Sequence, residues 1–165
     1  MALAHYAIAR TTLDIDIVVE IGSGNVRKIV EAFHPDYYIA EESVRHAIEH
    51  KRMFNILEQK TIIKVDCVIR KDDAYSKLAF SRRKKVEYVT SVHIWIATKE
   101  DLILSKLKWA KNTHSEMQIR DVSSLVRNGY DEEYVNGWAA RLEVEELLKE
   151  ASEKISDQYA EGYDA

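Results

Sequence analysis

The chain has 165 residues, of which 46% are hydrophobic and 32% charged, a composition typical of a folded domain rather than a disordered segment. No apolar run approaches the ~20 residues that a membrane-spanning helix needs, so no membrane partner is expected. The formal net charge of −4 argues against a protein that coats nucleic acid non-specifically, but it is compatible with a local basic patch. The single cysteine, Cys67, and the lack of a recognisable signal peptide predict a cytoplasmic location.

The first predicted elements are a strand and a helix. Apolar residues at odd positions from 15 to 21 alternate with Asp14, Asp16 and Glu20. This period of two predicts a strand over 14–21 with one face on a core and the other face polar. Glycines at 22 and 24 interrupt the pattern. Apolar residues spaced three and four apart then predict a helix over 25–33, which Pro35 stops.

The middle of the chain is predicted to alternate between strands and helices. The predicted elements are a short strand over 37–39, a helix over 41–51, hairpin strands over 54–57 and 61–69, a helix over 74–82 and a strand over 92–97. In the second hairpin strand, Lys64 and Asp66 share the polar face, whereas Cys67 falls on the apolar face. Cys67 is therefore interpreted as a core residue rather than a nucleophile.

The last third of the chain is predicted to be helical. Thr98 and Asp101 form a capping box before a helix over 102–111. A second helix over 115–127 ends at Asn128-Gly129, Asp131 caps a third, and a fourth covers 144–155. This order favours an α+β fold, with a mixed sheet flanked by helices in residues 1–97. A helical section at 98–165 is expected to pack on the same domain.

Three aspartates on two predicted strands form the candidate catalytic and metal site. Asp14 and Asp16 are two residues apart, so their side chains point the same way about 7 Å apart along a strand. If the strand of Asp66 pairs with theirs, three carboxylates converge and require a cation to offset their mutual repulsion. Hard oxygen ligands favour Mg²⁺ or Mn²⁺, and two such ions can clamp the phosphates in a nucleotidyl displacement. The alternative interpretation is a solvated sheet edge.

Several short motifs occur in a recognisable order along most of the chain. They are residues 1–16, Glu41-Glu-Ser-Val-Arg45, Phe54-Asn-Ile-Leu57, Lys64-Val-Asp66, residues 97–109, Gln118-Ile-Arg-Asp-Val122 and Trp138-Ala-Ala-Arg-Leu142. This order resembles the small nucleotidyltransferases of the DNA polymerase beta superfamily that are related to AbiEii-type toxins. The resemblance implies a nucleotidyltransferase-like sheet, a nucleoside triphosphate substrate and an RNA, protein or small-molecule acceptor. It also implies a possible partner protein from a toxin–antitoxin pair.

The resemblance assigns roles to individual residues. Asp14 and Asp16 would hold the metal ions, and Asp66 would be the third carboxylate, which draws the proton from the attacking hydroxyl. Arg10, Lys106 and Asp121 would form the nucleotide-binding set.

Lys106 also stands out without the resemblance. Its helical neighbours three and four residues away are apolar, so its amine must either extend to solvent or meet an anion. The resemblance implies that Lys106 faces the nucleotide phosphates, with Asp121 as the acidic member of the same pair. Asp121 is equally compatible with a structural pairing to Lys106 or to Arg120.

The sequence departs from the family pattern at its beginning. The family's Gly-Ser motif, whose amides and hydroxyl hold the triphosphate, would precede Met1, and Ala7 stands where glycine is frequent. Either the natural start lies upstream of an internal methionine, or the chain is a degenerate member. In both cases we expect poor nucleotide transfer. The departure also supports a second function, that of a non-catalytic binding protein such as an antitoxin or partner subunit.

Two further patterns have less specific interpretations. His46-Ala-Ile-Glu-His50 matches the H-x-x-E-H zinc-peptidase signature, but no partner motif follows it, so a solvated helix face is preferred. The basic run from Arg82 to Lys85 is interpreted as a solvated turn or as a contact for an RNA backbone. No interleaved aromatic residue in the run provides a platform for base stacking.

Overall fold

The computed structural model describes residues 2–7, 15–61 and 63–160 and has the predicted α+β fold. The chain divides into two compact units. The sheet unit spans Thr11–Ser81, and the helical unit comprises Arg82–Ala165 together with Met1–Arg10. Among the described residues, no helix has both the length and the apolar character needed to cross a membrane.

The elements follow in a fixed order along the chain. They are α1 (Ala2–Tyr6), β1 (Ile15–Val19), α2 (Val26–Phe33), β2 (Tyr37–Tyr38), α3 (Glu41–His50), β3 (Met53–Glu58), β4 (Lys64–Ile69), α4 (Ala74–Ser81), β5 (Lys84–Val89), β6 (Val92–Ile96), α5 (Lys99–Thr113), α6 (Glu116–Val126), α7 (Glu132–Leu142) and α8 (Glu145–Ala160).

The sheet unit is built on a four-stranded mixed sheet in the order β1–β4–β3–β2. Strand β1 runs parallel to β4, and the other neighbouring pairs are antiparallel. A hydrogen bond from the residue after β4 also joins it to the end of β1: the Arg70 backbone N–H donates to the Val19 carbonyl at 2.9 Å. The Arg70 guanidinium also pairs with Glu20 at 2.7 Å. The mixed character of the sheet is confirmed, although β1 and β4 are shorter than predicted: β1 ends at Val19 rather than at 21, and β4 begins at Lys64 rather than at 61.

One face of this sheet carries the apolar core. The register places Ile17, Cys67 and Phe54 side by side on that face, and α2 and α3 contribute apolar residues to the same cluster. The buried members are Val26, Val44, Ala47, Ile48, Phe54, Ile56, Cys67 and Ile69. Ile17 is on the predicted face, yet it stays 39% exposed because it lies on the edge strand β1, which has a neighbouring strand on one side only.

Residues 82–97 depart from the predicted organisation. Lys84 and Lys85 lie in β5, which pairs with β6 in a separate two-stranded sheet, so the predicted turn is wrong for both residues. Apolar residues lie on one face of this hairpin, and Ile96 on that face is buried. Burying that face requires β5 to pair with β6. The basic residues that precede the apolar residues of β5 in sequence are therefore part of the paired strand as well.

The helical unit confirms the predicted caps. The Thr98 hydroxyl accepts from the Asp101 backbone N–H at 3.2 Å, and the Asp131 carboxylate accepts from the Tyr134 backbone N–H at 3.0 Å. Gly129 follows α6 with a φ of 68°, a left-handed conformation that glycine adopts without strain. The buried apolar side chains come from β6 and from the helices, and they include Ile96, Ile103, Leu104, Leu107, Ile119, Val122, Leu125, Val135 and Leu148.

Candidate active site

Two of the three predicted carboxylates lie side by side on the polar face of the sheet. Asp16 on β1 is the direct register partner of Asp66 on β4. Neighbouring strands are ~4.8 Å apart, and paired residues project from the same face. Asn55 on β3 is the register partner of Asp66 on its other side, so that the three residues form one row across three strands. The pairing of the two aspartate strands, on which the carboxylate cluster depends, is thus observed.

The other predicted members of this site, Asp14 and Arg10, lie outside the described residues.

The two carboxylates have different surroundings. Asp66 is only 7% exposed. Its Oδ1 accepts a short hydrogen bond from the Asn55 side-chain amide, and its Oδ2 lies 3.2 Å from the Lys64 ammonium. Asp16 is exposed, and its side chain makes no hydrogen bond or ion pair with any described residue. Lys64 therefore offsets one of the two neighbouring negative charges, and among the described residues no cation pairs with the second.

The oxygen donors fit a small divalent cation. Mg²⁺ is usually bound through one or two carboxylates, with water and substrate phosphates completing its shell, and Asp16 with Asp66 supplies such a pair. Within the described part of the chain, no three histidine, cysteine, aspartate or glutamate side chains are grouped so as to hold a metal ion. Lys64 is 40% exposed, so its ammonium has room to leave Asp66 when a cation approaches.

Comparisons with known proteins add nothing to this geometry. Searches against protein-family models and against curated proteins find no significant match.

Lys106 meets an anion and does not extend into solvent. Its ammonium lies 2.6 Å from Asp121 Oδ2 and donates to Gln118 Oε1 at 3.0 Å. The Lys106 side chain is 13% exposed and that of Asp121 is 9% exposed. Of the two pairings that the sequence left open for Asp121, the structure shows the one with Lys106. The result is a largely buried, hydrogen-bonded ion pair between α5 and α6.

Sequence reasoning missed a second buried carboxylate in the helical unit. Asp101 was predicted only as a capping residue, but it is 1% exposed. Its carboxylate accepts from Arg82 Nε at 3.1 Å, from Thr98 Oγ1 at 2.7 Å and from the Tyr134 hydroxyl at 2.8 Å. Burial and the hydrogen bond to Asp101 raise the pKa of Tyr134. All three groups donate to the same fully buried carboxylate, an arrangement typical of a cluster that stabilises the fold.

The remaining candidates are resolved by their exposure. His46, Glu49 and His50 are exposed on α3, where the two histidine rings stack with their centroids 4.2 Å apart, as expected for a solvated helix face. Cys67 is 2% exposed on the apolar face, in agreement with the prediction of a core residue. Burial, and secondarily the charge of Asp66, raises the pKa of the Cys67 thiol to about 11. A thiol in that state is a poor nucleophile near neutral pH.

Proposed function

We propose that the protein is a metal-dependent nucleotidyltransferase, which moves a nucleoside monophosphate from a nucleoside triphosphate to a hydroxyl of an RNA, protein or small molecule. The observation that carries the proposal is the register pairing of Asp16 with Asp66 on the polar face of the mixed sheet. Two carboxylates at this spacing repel each other unless cations offset their charge; Lys64 lies against Asp66, and a bound metal ion would offset the charge of Asp16 as well.

Each residue has a part in this proposal. Asp16 and Asp66 hold Mg²⁺ or Mn²⁺ together with Asp14, and a bound ion supplies charge neutralisation for the phosphates. Asp66, held by Asn55 and shielded from solvent, is the candidate to take the proton of the acceptor hydroxyl.

Lys106 and Asp121, which belong to the helical unit, and Arg10 are the nucleotide-binding candidates that the resemblance implies. Asp121 keeps the Lys106 ammonium in a fixed position through their 2.6 Å contact.

Ligand-dependent thermal unfolding tests this function. A ligand at a hundredfold excess over its dissociation constant stabilises the fold by ~2.7 kcal/mol. We expect Mn²⁺ with one of the four ribonucleoside triphosphates to raise the unfolding midpoint of the chain, and we expect Asp16→Asn and Asp66→Asn to abolish the response. Asp36→Asn is the matched control, because Asp36 is an exposed carboxylate in the same unit and lies outside the proposed site.

Incorporation of radiolabelled nucleotide into an acceptor is the second readout. The proposal fails if Asp16→Asn and Asp66→Asn respond to metal and nucleotide as the unmodified chain does, or if none of these ligands shifts the midpoint at millimolar concentration.

A non-catalytic binding protein is the second candidate, and one observation favours it. Both oxygens of Asp66 already have protein partners, Asn55 and Lys64, so the carboxylate is charge-compensated without a metal ion. On this alternative the polar face of the sheet is a structural surface, and the chain acts as an antitoxin or partner subunit. Lys64→Met separates the two functions. It frees Asp66 and strengthens Mn²⁺ binding if the site is catalytic, whereas it only destabilises the fold if the ion pair is structural.

A further inference from the structure

The outer face of the β5–β6 hairpin combines a large aromatic ring with basic side chains. The antiparallel register places Lys85 opposite Trp95 and Glu87 opposite His93 on one face. The other face carries the pairs Lys84–Ile96 and Val86–Ile94, and Ile96 is buried. The face with Lys85 and Trp95 is therefore the one turned away from the apolar side of the hairpin.

Trp95 is exposed to an unusual degree for its size. It is 59% exposed, and the Arg83 guanidinium carbon lies 4.9 Å from its ring centroid in a cation–π contact. Lys85 is exposed, and no carboxylate in the described residues forms an ion pair with it. The acidic residue of this face, Glu87, is engaged at the hairpin tip, where it accepts from the Ser91 backbone N–H at 3.0 Å.

The sequence alone suggested no aromatic platform near the basic run. The hairpin register changes that conclusion, because it brings Trp95 directly across the ladder from Lys85, ten positions away in sequence. The Arg83 guanidinium lies over one face of the Trp95 ring and Lys85 lies across the ladder from it, so the ring and the cations together match a ligand that presents flat rings and negative charges in alternation.

Other partners match this surface less well. An apolar protein surface would desolvate Lys85 without compensation, and an acidic peptide would pair with the cations but leave the indole ring without a stacking partner. A single-stranded nucleic acid supplies phosphates for Arg83 and Lys85 and an unpaired base for Trp95. A double helix hides its bases from such a ring.

We propose that the outer face of the β5–β6 hairpin binds single-stranded nucleic acid, with a base stacked on Trp95 and backbone phosphates contacted by Arg83 and Lys85. The proposal goes beyond the nucleotidyltransferase function and does not depend on it, because neither a metal ion nor a nucleoside triphosphate takes part in this binding. The chain's net charge of −4 limits the interaction to this basic patch and makes it sensitive to salt.

Fluorescence anisotropy with a labelled oligonucleotide tests the proposal in the full chain. The probes are oligouridylate and oligothymidylate of about 12 nucleotides, a length within the ~4–16 nucleotides that a single OB-fold domain covers. The buffer contains EDTA and no nucleoside triphosphate, so that failure of the catalytic proposal cannot affect the result. Saturable binding of either strand supports the site, and the tighter of the two identifies the preferred sugar.

Substitutions assign the binding to this face. We expect Trp95→Ala to weaken the affinity about 5- to 150-fold, the loss of one stacked base, and Trp95→Phe to retain most of it. Lys85→Gln should reduce the slope of log affinity against log salt by about 0.7, the value for one phosphate contact on a single strand. Trp109→Ala and Lys149→Gln are the matched controls, because both residues are exposed in the same unit and away from the hairpin.

Three results would overturn the proposal. The first is the absence of saturable binding to either oligonucleotide. The second is that Trp95→Ala and Trp109→Ala weaken the oligonucleotide affinity equally, which would show that the strand does not bind at the hairpin. The third is concentration-dependent self-association that Trp95→Ala abolishes while oligonucleotides leave it unchanged, which would assign the face to a second copy of the chain.

Discussion

The Lys106–Asp121 pair allows a quantitative test of whether a buried charge is kept for stability. The 2.6 Å contact joins two side chains that are 13% and 9% exposed. Removing one partner of such a pair leaves an uncompensated charge and costs about 3–5 kcal/mol, whereas replacing both partners with uncharged groups is often nearly neutral. We therefore expect Lys106→Met and Asp121→Asn each to lower the free energy of unfolding by about 3 kcal/mol, and the double variant by much less than their sum.

Urea unfolding followed by tryptophan fluorescence measures this directly. Trp95, Trp109 and Trp138, the three tryptophans of the sequence, all belong to the helical unit, so the signal reports on the unit that contains the pair. Lys149→Met is the control, because Lys149 and Glu153 are 70% and 66% exposed and 4.0 Å apart. An exposed pair of this kind contributes at most about 1 kcal/mol.

The outcome separates structure from function. If Lys106→Met unfolds at the same urea concentration as Lys149→Met, or if the double variant loses the full sum, the reasoning from burial is refuted. The proposed nucleotide-binding role of Lys106 has a separate readout, because it predicts that Lys106→Met also loses the stabilisation by nucleotide, measured relative to its own unliganded midpoint.

Two further predictions concern buried groups. Asp101→Ala should lower the free energy of unfolding by about 3–5 kcal/mol, because Arg82 and two hydroxyls lose their common acceptor. Tyr134→Phe removes one hydrogen bond to that carboxylate and should lower the free energy of unfolding by about 1.5–3 kcal/mol. Urea unfolding measures both changes, and a near-neutral Asp101→Ala would contradict the structural role. Cys67, whose thiol pKa is raised to about 11, should have a thiolate fraction of roughly one in a thousand at pH 8. It should therefore react with a disulfide reagent only after unfolding, and rapid reaction of the folded chain would show that the thiol is accessible.

Local periodicity was sufficient to predict most elements and their buried faces. The alternation around Asp16 and the opposed faces of Asp66 and Cys67 are local properties, because they depend only on the period of two of a strand. The caps at Thr98 and Asp131 are local as well. These features were correctly placed because they lie within a few residues of one another.

Long-range pairings were beyond such reasoning. The Asp101 cluster joins residues 19 and 33 positions apart, Arg82 and Tyr134 respectively, and no local pattern marks Arg82 as the partner of a buried acid. Strand β5 was missed because Lys84 and Lys85 begin it, and charged residues at a strand start resemble a turn. Its apolar positions Val86 and Val89, with Tyr88 between them, were the signal that could have identified the strand.

The parallel pairing of β1 with β4 also has a consequence for the timing of synthesis. About 45 residues separate the end of β1 from the start of β4, and a ribosome that adds roughly 5–20 residues per second needs about 2–9 seconds to make them. During that interval β1, with its apolar residues Ile17 and Val18, has no strand to pair with. The alignment of Asp16 with Asp66 cannot exist before the last strand of the sheet has left the ribosome, so the carboxylate pair is acquired late, as a product of completed folding rather than of an early local structure.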